Sequence, residues 1–162
     1  MPSRALQAIA LTLTALGLAP GAAHLMLLRV KLAYSPAMYM EVTSTLYAWF
    51  GPIGGSVQVA AAVAVALLAL RTRHLPQGGL LAASAGAPLG SLLLWALLVA
   101  PVNSTWADST GSSPAELAAV YERLHARWEY GHAAAFIAWL AGWFGIVAAL
   151  TNRSLSRISD AA

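Results

Sequence analysis

The chain has 162 residues, no cysteine, 59% hydrophobic residues, 9% charged residues and a formal net charge of +3. An ordinary soluble domain carries about 25% charged residues, so this composition, with a mean hydropathy of +0.68, excludes a soluble enzyme and points to one integral membrane domain. It also excludes disulfides, thiolate metal sites and a cysteine nucleophile, and no Lys/Arg cluster interleaved with aromatics supports nucleic-acid binding.

A bilayer core of about 30 Å needs roughly 20 apolar residues in a helix, and backbone groups in lipid must be satisfied within the segment. Four stretches qualify: about 5–28, 46–70, 79–100 and 131–150. In the first, Arg4, an apolar run and LAPGAA also fit a cleavable signal peptide. The apolar character continues through HLMLL to Arg29, beyond a normal signal core, and favours a retained span. The second opens with GPIGG at 51–55, where Pro52 removes a backbone donor and the glycines loosen the helix. The third carries Gly86 and Gly90, a G-x-x-x-G step that predicts close helix approach. It ends at Pro101.

Segment 101–130 reads mostly as helix. Ser113 as N-cap, Pro114 in the first turn and Glu116 form a capping box, and no breaker follows until Gly131. The last helix therefore starts near 114 and enters the membrane unbroken, with an outer extension over about 114–130. Gly131, Ala138, Gly142 and Gly145 make a small-residue stripe within it, and the tail TNRSLSRISDAA reads as a frayed terminus.

The fold class is therefore all-α: a single integral membrane domain, an up-down four-helix bundle with its last helix extended outside the membrane. Arg4, Arg71, Arg73, Arg153 and Arg157 share one side with Asp160 as its single acid. The positive-inside bias then predicts both termini cytoplasmic and the 29–45 and 101–130 connections outside, with the plasma membrane as the expected location. Lysine occurs once, as Lys31, while Ala, Leu and Arg are common, a bias associated with GC-rich bacterial genomes.

The last span is entered through RWEYGH at 127–132. At about 100° per residue, Glu122, His125, Glu129 and His132 fall within a sector of about 80°. Glu122 and His132 stand about 15 Å apart along the axis, too far for one ion to use the whole row. Arg123 and Arg127 point away from it. His24, near the outer end of the first span, reaches the same depth as His132. Arg29, Lys31, Tyr34, Glu41, Asn103, Trp106, Arg127 and Glu129 belong to that end, above Gln58 and the GPIGG entrance. Tyr34, Tyr39, Tyr47, Trp49, Trp106 and Trp128 also fit an interfacial aromatic belt.

Ionisable groups at membrane depth mark sites. A neutral His132 or His24 would act as general base. Glu129 would orient the imidazole, and Arg127 or Asn103 would steady an oxyanion. Trp106, Tyr34, Glu41 and Trp128 complete the substrate-binding candidates. No metal set is assigned; a bound metal would draw on His24, His125, Glu129 and His132. The implied partners are the bilayer and a lipophilic small molecule, with a homo-oligomer left open and the cofactor undetermined.

The stretches H24 with RVKLAYSPAMYMEV, LYAWFGPIGG, PVNSTW at 101–106 and RWEYGHAAAF at 127–136 carry a resemblance. P-x-N-x-x-W followed by W-x-x-x-H is its most specific part. The chain resembles a domain-of-unknown-function family of small four-helix membrane proteins that includes the anthrone oxygenase-like proteins. The resemblance covers most of the chain. It implies oxygen insertion into reduced polycyclic phenols without a bound cofactor for some members, and makes Asn103, Trp106, Arg127 and His132 the first site candidates. A membrane enzyme of oxygenase-like or proton-transfer type is the leading expectation. The alternative is a non-catalytic module binding a lipid, small molecule, metal, haem or protein partner. Transport fits least, because paired broken helices are lacking.

Overall fold

The computed structural model describes residues 4–109 and 111–159, with side chains described as far as Asn152. The described residues are mostly helical and contain no strand. Helices α1 (Arg4–Leu16) and α2 (Leu18–Met26) form the first apolar span. Helices α3 (Leu28–Leu32) and α4 (Pro36–Thr45) follow it. A π-helical turn, Phe50–Gly55, leads into α5 (Ser56–Thr72), and α6 (Gly78–Leu98) continues into α7 (Ala100–Asp108). Helix α8 runs from Pro114 to Ser159.

Packing runs α1 on α5, α5 on α6, α6 on α8, and α1 and α2 on α8. Each span thus neighbours the next in sequence and the last closes on the first, which makes an up-down four-helix bundle. At 46 residues and a rise of 1.5 Å, α8 is about 69 Å long. That is more than twice a bilayer core of about 30 Å, so α8 projects beyond any membrane that its apolar part crosses. Large apolar side chains face outward on every span, among them Ile9, Val59, Val63, Leu89, Leu93, Ile137 and Phe144. Such a surface suits hydrocarbon and is costly in water.

Local chemistry explains the breaks. Ser35 caps α4 ahead of Pro36, its side chain accepting from the Met38 amide. At the start of α8 the Glu116 carboxylate accepts from the Ser113 amide while the Glu116 amide donates to Ser113 Oγ, a capping box. Pro52 sits in the π turn. There Gly54 lies so close to α2 that a methyl group on it would stand 2.5 Å from Pro20 Cγ. Pro101, without an N–H, ends the helical pairing that would have satisfied the Leu97 carbonyl four residues earlier. Arg127 Nη2 donates to that carbonyl instead, at 2.9 Å. Gly17 separates α1 from α2 under the indole of Trp139, where a Cβ would stand 2.6 Å from Trp139 Cζ2. Trp139 Nε1 donates to Thr14 O, and Gln58 Nε2 donates to Gly17 O, both at 2.9 Å.

Two sequence expectations change. Gly86 and Gly90 face open space, and a methyl group at either position would meet nothing within 4 Å. The close α6–α8 contact is made the other way round, by Gly142 against Pro88 and Gly145 against Ser84. The reason is register: Ser84, Ala85, Pro88 and Ser91 form the buried face of α6, which turns Gly86 outward. The backbone also stays helical through Ser159, although the sequence from 151 onward reads as a frayed tail; Asp160 lies outside the described residues.

The core has two ends of different character. One is aliphatic and alanine-rich, built around Ala10, Val65, Leu68, Leu81 and Ile146. The other is aromatic: Tyr39, Tyr121 and Trp128 pack with Val99 and Val102. Helices α3, α4 and α7 and the first turns of α8 gather at this aromatic end.

Candidate functional site

Glu129 is fully buried on α8, and three elements converge on it. Lys31 Nζ, from α3, lies 2.6 Å from Oε2. Tyr39, from α4, donates its hydroxyl to Oε1 at 2.9 Å. His24, from α2, places Nδ1 at 3.8 Å from Oε2 and 2.9 Å from Lys31 Nζ. Relative exposures of 0% for Glu129, 1% for Lys31 and 2% for His24 mean that water screens none of these charges. Such a pair survives only because each partner compensates the other's desolvation. Burial pushes the Lys31 ammonium below the ordinary lysine value, and its contacts with Glu129 oppose that shift. Burial first, then the Glu129 charge, pushes the Tyr39 phenol above its ordinary value, which keeps it a protonated donor. The ammonium also lies 4.6 Å from the Tyr47 ring centroid and 5.4 Å from that of Trp128, within cation–π range.

His132 stacks on His24 with ring centroids 4.0 Å apart and planes 15° from parallel. The hydrogen-bond partners assign their tautomers. His132 Nδ1 lies 2.9 Å from the Trp128 carbonyl, which only accepts, so the proton sits on Nδ1 and a neutral ring keeps a lone pair on Nε2. His24 Nδ1 faces an ammonium, which only donates, so a neutral His24 carries its proton on Nε2. Side by side, the rings offer one bare nitrogen and one N–H, the complement of a group that gives up a proton beside an oxygen that gains charge.

The pair separates two chambers. The outer one, about 390 Å³, is bordered by Thr43, Tyr47, Asn103, Trp106 and Trp128. The inner one, about 280 Å³, lies within the bundle and is largely apolar, bordered by Pro20, Val59, Leu92, Phe136 and Trp139. His24, Phe50, Gly51, Trp95 and His132 line both. Asn103 Oδ1 accepts from Trp128 Nε1 at 2.7 Å and so fixes the indole against the histidines. The buried Trp106 Nε1 has no hydrogen-bond partner among the described residues. In the inner chamber the Gln58 amide and Ser91 are the polar side chains beside the histidines, and Ser91 donates to Ala135 O.

Six of the sequence candidates meet here: His24, Glu129, His132, Asn103, Trp106 and Trp128. The others do not. Arg127 is exposed and occupied with Leu97 O, which leaves it outside both chambers. Glu41 is exposed on α4. Tyr34 packs on the aromatic cluster, and its carbonyl accepts from Tyr121 OH. His125 stacks on Tyr121 at 4.1 Å, with Nδ1 against the Tyr121 carbonyl. Of the four candidate metal ligands, His125 therefore lies apart from the other three, and no group of three His, Cys, Asp or Glu among the described residues is arranged to hold an ion. The near-parallel stack also sets the two imidazoles face to face and does not aim their nitrogens at one haem iron from opposite sides.

Lys31 and Tyr39 are site residues that the sequence candidates omit. Lys31 carries a signal: it is the chain's single lysine, seven residues after His24, two helical turns along the same side. Tyr39 falls among the residues of the interfacial belt, and nothing local distinguishes it from Tyr34 or Tyr47. No model of a known protein family, no curated protein and no solved structure matches the chain.

Proposed function

We propose that this integral membrane protein is an enzyme that moves a proton on a lipophilic small molecule, with His132 as the base. The observation that supports this most is the His24–His132 stack, a bare Nε2 beside an Nε2–H, set between an apolar and a more polar chamber. An acidic C–H or O–H of the substrate would pass its proton to His132 Nε2, leaving the electron pair on the substrate. The His24 N–H would stabilise the oxyanion so formed. Lys31 and Glu129 hold His24 in that tautomer, and Asn103 holds Trp128 behind it.

The resemblance to anthrone oxygenase-like proteins extends this to oxygen chemistry. A reduced polycyclic phenol made electron-rich by deprotonation would take up O2 at its acidic CH2. Conversion of CH2 and O2 into C=O and water balances without a further reductant. The arginine bias favours both termini cytoplasmic and the site outside, in a plasma membrane.

The test uses the full chain in lipid nanodiscs in deuterated water with anthrone as probe. Deuterium incorporation at the CH2 and O2 uptake are both followed. Wild type should catalyse exchange, and His132→Ala should lose at least about 100-fold while keeping its helical content. Exchange that is equal in wild type and His132→Ala refutes base catalysis by His132. Non-catalytic binding of a lipophile is the second reading, favoured by the largely apolar inner chamber, and would give saturable binding without exchange.

A further inference from the structure

The walls of the inner chamber differ in exposure. Toward α2 and α8 its walls are His24, Ala135 and Trp139, which are buried. Toward the π turn, α5 and α6 they are Gly51, Gly55, Val59 and Trp95. There Gly51 is exposed, Val59 is 54% exposed and Trp95 39% exposed. A methyl added at Gly51 or Gly55 would meet nothing within 4 Å. Gly51, Gly55 and Val59 recur every four positions, so they line one side of the second span. The chamber thus opens sideways, between the second and third spans.

The level of that opening decides what it admits. Gln58, one residue before Val59, bonds to Gly17 O in the middle of the first span. Gly17 lies seven residues, about 10 Å along the axis, below His24. At its Val59 end the gap therefore meets hydrocarbon and not water on a membrane bundle, while its Gly51 end reaches the level of the histidines. The π turn contributes to the gap: Gly51 and Gly55 leave this side of it without bulky side chains.

We propose that the gap between the Gly51–Gly55–Val59 face and Trp95 is a lateral portal, through which a lipophilic molecule dissolved in the bilayer enters the inner chamber and reaches the histidine pair from below. This rests on the proposed ligand class and narrows it. The occupant partitions into lipid, presents its polar, proton-bearing end to the histidines and leaves its apolar body on Phe136 and Trp139. A charged or strongly hydrated molecule would have to use the outer chamber instead.

A hydrocarbon diazirine dissolved in nanodisc lipid tests this, with photolabelled residues mapped by mass spectrometry and anthrone exchange measured on the same samples. The portal predicts labelling of the inner-chamber walls at Phe136 and Trp139, reduced at least several-fold by Gly55→Phe and by Val59→Trp. Backbone angles at Gly55 are helical (φ −61°, ψ −42°), so Gly55→Phe is compatible with the fold. The same two variants should raise the KM for anthrone about tenfold or more with kcat held, whereas His132→Ala should leave labelling intact. Unchanged chamber labelling in both portal variants overturns the portal. Labelling lost in both variants, in a wild type that shows no exchange, supports the portal and sinks the proton-transfer function alone.

Discussion

Lys31→Met removes the cation from beside a fully buried carboxylate, and its cost follows from the geometry. Lys31 Nζ sits 2.6 Å from Glu129 Oε2 at 1% and 0% exposure, so no solvent discount applies. Breaking one side of a buried pair costs about 3–5 kcal/mol, because the remaining charge is left uncompensated. At 1.4 kcal/mol per power of ten, that is a loss of about two to three and a half powers of ten in the folded-to-unfolded ratio. Replacing both partners, as Lys31→Met with Glu129→Leu, removes the stranded charge and leaves chiefly the Tyr39 hydroxyl without its acceptor, a cost of about 1–3 kcal/mol. The double variant should therefore be more stable than Lys31→Met. Reversible SDS unfolding in mixed micelles, read by tryptophan fluorescence, gives both numbers. A cost under about 1 kcal/mol for Lys31→Met, or strict additivity in the double variant, would mean that water or a protonated Glu129 relieves the charge and that the pair is not an ion pair.

Tyr39→Phe should remove a hydrogen bond to a charged acceptor, worth about 1.5–3 kcal/mol at neutral pH. Because burial and Glu129 raise the Tyr39 phenol above its ordinary value, its contribution is complete below the unfolded value of about 10 and falls as pH climbs from there toward the folded value. Stability above pH of about 10 should fall less steeply in Tyr39→Phe than in wild type, as measured by denaturation at graded pH. Gly17→Ala places a methyl 2.6 Å from Trp139 Cζ2. Overpacking of this kind costs about 1–3 kcal/mol, visible as a lower thermal midpoint and a shifted indole emission. Arg127→Ala should cost about 1 kcal/mol or less, because water can reach the Leu97 carbonyl at that exposed edge, and should leave anthrone exchange unchanged. In intact cells, a thiol reagent should label Ser112→Cys directly and His74→Cys only after permeabilisation; the reverse pattern inverts the membrane orientation.

Much of the architecture is legible in the sequence because composition and apolar run length act on every residue of a span. The pairing of His24 with His132 is legible too, since an up-down bundle brings alternate span ends to one side. The row on α8 is only half informative. Helical periodicity puts Glu122 and His125 on one face with Glu129 and His132, but the first two stand above the level where α2 arrives. Only the lower two meet His24. Arg127 goes elsewhere for a readable reason: Pro101 strips the Leu97 carbonyl of its helical donor, and that carbonyl lies within the arginine's reach. Gly86 and Gly90 have the spacing of a packing step but the wrong rotation on α6, which no local pattern reveals. Tyr39 cannot be singled out locally, because its role depends on α4 folding back across α8 from 90 residues away.

The most direct measurement is nitrogen-15 NMR of the histidine-labelled protein in nanodiscs, with and without anthrone. The free protein should show His132 protonated at Nδ1 with a bare Nε2, and His24 protonated at Nε2, assigned by His24→Gln and His132→Gln. Addition of anthrone should move the His132 Nε2 resonance and leave His125 and His74 in place. An Nε2-protonated His132, or resonances that ignore the ligand, would contradict a base poised between the two chambers.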